Sequence, residues 1–78
     1  CVNCHRIRGT LARGAFGPDL THLMSRQTLA SGMIPNSPEN LRKWLVDPQQ
    51  VKPGCLMPAF GLNAQELDRV VQYLSSLR

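Results

Sequence analysis

The sequence predicts a small all-α domain that closes around a bound group, and three observations carry that expectation. The 78 residues leave room for one domain, and a chain this short draws only about 3–5 kcal/mol from its own core. With four aromatic residues, six Pro and six Gly, the chain has little to fill such a core and calls for a staple. The C-terminal residues then carry a 3.6-residue apolar period, while no run of alternating β-branched residues announces a sheet. Finally, residues 9–18, 27–36 and 51–62 read as Gly- and Pro-rich loops. Two of them are long for so small a domain, and long ordered loops need something to wrap around. Length also excludes a barrel, a doubly wound sheet and a two-domain enzyme, and no apolar run approaches the roughly 20 residues of a membrane span.

Taken in order, a short helix is expected from Asp19 to Ser25, with Leu20, Leu23 and Met24 as its apolar side. A second starts at Ser37, because Pro38 suits the first helical position, where no amide hydrogen is needed. Leu41, Trp44 and Leu45 form its inner face, and Asp47-Pro48 ends it, since proline disfavours helix in the residue before it. The third starts at Asn63, which with Glu66 three residues on makes a capping-box signature. Leu67, Val70, Val71, Leu74 and Leu77 then fall on one face.

Net charge is +4, from seven Arg and two Lys against five acids. The charge is scattered, without the basic stripe and stacking aromatics that nucleic-acid binding needs. It fits an acidic protein surface as partner. Arg6, Arg8, Arg13, Lys43 and Lys52 are the residues expected to face it. The chain begins on a cysteine rather than a methionine, so it is expected to be a piece of a longer chain with targeting information upstream.

Cys1-Val2-Asn3-Cys4-His5 carries the chemistry. C-x-x-C-H is the attachment signal for c-type haem. Residues three apart on a helical turn share a face, so both thiols can reach the two vinyl groups of one porphyrin. The adjacent His5 then offers an imidazole nitrogen to the iron from one side. A thioredoxin-like redox pair would need a βαβ setting. A zinc site would need a second paired knuckle, and only Cys55, His5 and His22 remain for it. Three cysteines are also an odd number for a disulfide framework. Cys55 reads as a buried, inert small hydrophobe. For the sixth iron position the candidates are Met24, Met33, Met57 and His22. Met57 is preferred, because prolines flank it in Lys52-Pro53-Gly54-Cys55-Leu56-Met57-Pro58 and favour a fixed presentation. Met24 reads as core filling, Met33 as packing in a Gly-containing loop, and His22 as a structural or solvated histidine.

These residues resemble a class I cytochrome c, and more narrowly the haem domain that ends subunit II of caa-type cytochrome c oxidases. The resemblance covers the whole chain. It rests on Cys-Val-Asn-Cys-His with Ile7-Arg8-Gly9-Thr10, on Gly17-Pro18-Asp19-Leu20-Thr21-His22-Leu23 with Ser25-Arg26, and on Pro35-Asn36, Asn40-Leu41 and Trp44. It continues through Asp47-Pro48-Gln49, Lys52-Pro53-Gly54 and Met57-Pro58 to Tyr73-Leu74-Ser75-Ser76-Leu77.

The resemblance implies a cytochrome c fold over residues 1–78 with one haem c, joined by thioethers to Cys1 and Cys4. It implies His5 and Met57 as axial ligands, Pro18 as the carbonyl that orients His5, and Arg26 and Trp44 beside the propionates. It implies one-electron transfer, from a soluble or membrane-bound respiratory donor to the copper centre of a terminal oxidase, with the copper-containing domain and other oxidase subunits as partners. The domain itself would be a carrier, catalytic only as part of the oxidase. Its expected place is the outer, periplasmic face of the bacterial cytoplasmic membrane, held there through the parent subunit. Family members carry a further helix before the C-x-x-C-H turn, so the apolar face of residues 67–77 is expected to be partly uncovered. The alternatives are a free-standing or dehydrogenase-fused c-type carrier and, more distantly, a small zinc-binding module.

Overall fold

The structure, a computed structural model, describes residues 1–78. In order it contains a 3-10 turn at Leu23–Ser25, strands β1 (Thr28–Leu29) and β2 (Ile34–Pro35), and helices α1 (Pro38–Val46), α2 (Pro48–Val51) and α3 (Ala64–Leu74). The small, mainly helical architecture expected from the sequence is present.

The helix starts obey their local chemistry. Ser37 Oγ accepts from Asn40 N, and Pro38 occupies the first turn of α1. In α3 the Asn63 side chain accepts from Glu66 N at 2.8 Å while Glu66 Oε1 accepts from Asn63 N at 3.1 Å, a reciprocal cap that satisfies two otherwise orphaned amides. Regular helix stops at Leu74, and the chain turns through Ser75 and Ser76.

Three expectations need correction. Residues 19–22 are not helical, because Asp19 turns its carboxylate back to the Thr21 amide, 2.8 Å away. That local bond competes with the helical ladder, as short polar side chains do. Only Leu23–Ser25 winds, and as a 3-10 turn. A small sheet exists where none was expected: Thr28 pairs with Pro35 and Leu29 with Ile34, antiparallel. Its two-residue strands are too short for alternation to register, and Ala30 and Ser31 at φ 53° and 56° make the reversal between them. Asp47-Pro48 ends α1 but also starts α2, with Asp47 Oδ1 accepting from Gln49 N at 3.0 Å. Proline blocks a helix behind it and suits one ahead of it.

The core is a seven-residue cluster of Ile7, Ala12, Leu20, Leu23, Leu29, Leu41 and Leu74, with Met24, Ile34, Leu45, Val70 and Leu77 packed on it. It joins the N-terminal segment to α1 and α3. Arg42 of α1 pairs with Asp68 of α3 on the surface, an exposed contact of small energetic weight. The 3-10 turn is tied to the chain's end, where Leu77 O accepts from Met24 N at 2.6 Å and the Arg78 carbonyl meets His22 Nδ1 at 2.9 Å. The apolar face of α3 is thus largely occupied from within: Leu67 and Leu74 are buried and Val70 and Leu77 pack, while Tyr73 is 47% exposed.

The chain is collapsed, with a radius of gyration of 11.7 Å, close to the roughly 11.5 Å of a packed chain this long. Yet only nine of 78 residues are buried. Val2, Phe16, Met33, Leu56 and Phe60 stay mostly exposed, an apolar excess that folding has not covered.

Leu41, 2% exposed at the centre of the cluster, should be the costliest truncation. Leu41→Ala should lose about 2–5 kcal/mol, read from the denaturant midpoint at unchanged slope. A loss under about 1 kcal/mol would mean that this cluster does not hold α1 to α3.

Candidate functional site

The first five residues form one turn, closed by Cys1 O accepting from Cys4 N at 3.0 Å and His5 N at 2.8 Å. No disulfide joins the three cysteines; Cys1 is exposed and Cys4 half-buried.

The next segment is held by a regular set of bonds. Cys4 O accepts from Gly17 N at 2.6 Å, His5 O from Gly14 N at 3.0 Å and Arg6 O from Leu20 N at 2.8 Å. Arg6 also bridges Arg13 in antiparallel fashion. Residues 14–20 thereby wrap Cys4-His5-Arg6 and fix the direction of three consecutive side chains.

Glycine is required twice in that wrap because of space. A Cβ on Gly14 would overlap the Cys4 carbonyl carbon, and one on Gly17 would lie 2.5 Å from His5 Cε1. The imidazole thus packs flat against bare backbone. Its Nδ1 lies 2.7 Å from Pro18 O. A carbonyl only accepts, so Nδ1 carries the hydrogen and Nε2 keeps its lone pair free of protein partners. A neutral imidazole held this way is a prepared metal ligand.

Around it, Arg8 N donates to Thr21 Oγ1 at 2.7 Å, and Thr21 Oγ1 donates to Asp19 Oδ1 at 2.5 Å. The Thr21 hydroxyl and amide, with Arg6 and Arg8 nearby, hold the Asp19 carboxyl below its ordinary value. Arg26 Nη2 donates to the Asp19 carbonyl, so its guanidinium braces the same turn. Trp44 is half-buried on α1.

Of the sulfur candidates, Met24 packs on the core, Met33 is 55% exposed, and Met57 is half-buried. Cys55, expected to be buried and inert, is instead half-buried and meets Gln49 Nε2 at 3.1 Å. In the sequence Gln49 stands out only within the Asp47-Pro48-Gln49 motif, with no role attached, although it bonds to Gly54 and Cys55 and reaches Met57. Its only signal there is its position two residues after a helix-capping Asp. No three His, Cys, Asp or Glu side chains gather closely enough to hold a metal ion by themselves, which disfavours the zinc alternative.

Two thiols and an imidazole with one nitrogen free of protein partners, on a single turn, are the donor set of a haem-binding protein. The residues fit haem in donor chemistry, in the imidazole seated against Gly17, and in the apolar side chains of Val2 and Phe16 left exposed. The cytochrome c family model matches residues 1–78, and the chain belongs to that family, which implies haem c. It is 37% identical over 79 residues to cytochrome c oxidase subunit 2 of Alkalihalophilus pseudofirmus, with the whole chain covered and 22% of the relative. It is 36% identical over 83 residues to cytochrome c oxidase subunit 2 of Bacillus sp. (strain PS3), again with the whole chain covered and 23% of the relative. The chain therefore spans less than a quarter of the length of these relatives.

The geometry leads to two expected outcomes. Gly17→Ala should push the His5 ring from its seat and destabilise the fold by about 1–3 kcal/mol, as overpacking does. Denaturation together with the nitrogen-15 shift of His5 Nδ1 tests this; neither changing would show that the ring does not rest on Gly17.

Asp19 sets a pH dependence. Its carboxyl is depressed in the fold, so its contribution is complete above the unfolded value of about 3.9 and is lost as pH falls through the folded value. Asp19→Asn should flatten stability against pH from about pH 4 downward. An unchanged profile would remove Asp19 from the acid response.

Proposed function

We propose that this domain is a one-electron carrier of an oxidase subunit. Cys1 and Cys4 hold haem c by thioethers, and His5 and Met57 ligate its iron. The observation that carries the reading is the His5–Pro18 bond at 2.7 Å on the turn that presents both thiols. That arrangement aims one basic nitrogen at whatever the thiols fasten, and it has no evident use in a protein that binds nothing there.

When bound, the group supplies a reversible iron couple. The chain's own residues do the rest. Pro18 O keeps Nδ1 protonated and so keeps Nε2 a ligand. The wrap from Gly14 to Leu20 prevents the ring from rotating. Met57 supplies a soft thioether, which favours the reduced iron and raises the potential. Held by His5 and Met57 together, the group would serve electron transfer rather than oxygen chemistry. Arg26 and Trp44 are the proposed neighbours of the propionates, where donors offset the cost of burying charge.

The likeness to cytochrome c oxidase subunit 2 supports a place within that membrane complex, and the outer, periplasmic face is the side proposed for it. The domain would take electrons from a soluble or membrane-bound respiratory donor and pass them to the oxidase's copper centre. No helix here is long and apolar enough to cross a membrane, so attachment would come from the rest of the subunit. Exposed Arg6, Arg8 and Arg13 suit an acidic donor surface, since complementary charge speeds encounter.

Acid-acetone extraction tests the covalent link: the haem should stay with the protein, and its release would overturn the c-type reading. Met57→Ala should keep the haem but lose the sulfur-to-iron charge-transfer band and lower the potential, read by visible spectroscopy and redox titration. A variant that retains the band would assign the thioether to Met24 or Met33.

A further inference from the structure

We infer that Gln49 is the positioning residue that holds the Met57 loop closed, an inference that rests on the ligand role proposed for Met57. Residues 53–62 are almost free of other restraint. Their one backbone–backbone hydrogen bond is Cys55 N to Lys52 O at 3.1 Å, a local turn. Pro53 and Pro58 offer no amide hydrogen. Within the segment, Cys55 Sγ reaches Met57 O at 3.6 Å. Every other hydrogen bond to the segment comes from the single side chain of Gln49.

That side chain meets the first half of the loop, at Gly54, Cys55 and Met57. Gln49 Oε1 accepts from Gly54 N at 2.9 Å. Gln49 Nε2 donates to Cys55 O at 2.8 Å, lies 3.1 Å from Cys55 Sγ and is 3.5 Å from Met57 O. The bond to Cys55 O is the strong one, and the approach to Met57 O is at the limit of a hydrogen bond. Only one orientation of the amide works, because a flip would set its NH2 against the Gly54 amide and its oxygen against the Cys55 carbonyl. A primary amide, with donor and acceptor side by side, is needed here; a carboxylate or a hydrocarbon cannot replace it.

Gln49 can serve as an anchor because its own backbone is fixed. Asp47 Oδ1 receives its amide at 3.0 Å, and the preceding Pro48 is fully buried, with its carbonyl accepting from Lys52 N at 2.9 Å. The buried proline and the cap connect the loop to the core, and the Gln49 amide completes the connection. At Gly54 the backbone has φ +82°, the left-handed turn that brings residues 54–57 back over Gln49. The Gln49 side chain lies on the exposed surface, so its loss should loosen the loop without opening the core.

The test uses the haem-loaded protein in its ferric form and monitors imidazole binding, which requires the native sixth ligand to leave. Gln49→Ala should bind imidazole at least about tenfold faster than the parent, with haem content and the global denaturation midpoint unchanged. Gln49→Glu, which keeps an acceptor for Gly54 but loses both donors, should also bind faster, and the Gly54 amide should lose hydrogen-exchange protection in Gln49→Ala. Met57→Ala is the reference. If it binds imidazole no faster than the parent, the ligand role of Met57 fails. If it is fast while Gln49→Ala matches the parent, Met57 stands and the Gln49 inference is overturned. A fall in global stability of Gln49→Ala as large as the gain in imidazole binding would also overturn it, because Gln49 would then be a general structural residue.

Discussion

The bond from His5 Nδ1 to the Pro18 carbonyl is the constraint on which the rest depends. It decides which imidazole nitrogen is free, and it can form only if residues 14–20 fold back over the C-x-x-C-H turn. The three carbonyls of Cys4, His5 and Arg6 recruit that fold-back through Gly17, Gly14 and Leu20. The two glycines are a consequence, because any Cβ there would strike the turn. Ile7 and Ala12 then enter the core with Leu20 and Leu23, so the C-x-x-C-H turn is fastened to the hydrophobic centre.

A second assembly faces a different loop with different means. Around His5 the restraint is backbone to backbone and dense. Around Met57 it is one flexible amide on a four-residue helix. The asymmetry suits the ligand roles proposed for the two residues. Imidazole is the better ligand for iron in either oxidation state, whereas a neutral thioether binds ferric iron weakly and depends more on being held in place. Rigidity on one side and a single tether on the other match that difference.

Much of this was legible in the sequence, for identifiable reasons. The Ser37–Pro38 start and the Asn63–Glu66 box report bonds made within four residues, and they appear where expected. The cysteine and histidine spacing likewise reads within one turn. The turn at Asp19 could not be read, because Asp19 can support a helix start or a reversal, and here its bonds to Thr21 chose the reversal. The ladder of Thr28–Leu29 and Ile34–Pro35 is too short to leave a periodic trace. The role of Gln49, named only as part of a motif, escaped notice because a polar residue on an exposed helix end looks the same whether it binds water or a neighbouring loop. Its role exists only once Gly54 has turned the chain back.

Asp47 belongs to two helices at once, closing α1 through its amide and opening α2 through its carboxylate. This makes the junction intolerant of changes in chain length. One residue added between Val46 and Gln49 would rotate the downstream chain by about 100° on a helix of 3.6 residues per turn, and would separate the cap from the amide it serves. Residues 59–62 make no hydrogen bond that a longer chain would break. Insertions and deletions among homologous sequences are therefore expected to gather in the run between Pro58 and Asn63, while the spacing from Leu41 to Met57 stays constant. That run is an adjustable seam, and it lies on the opposite side of Met57 from α2.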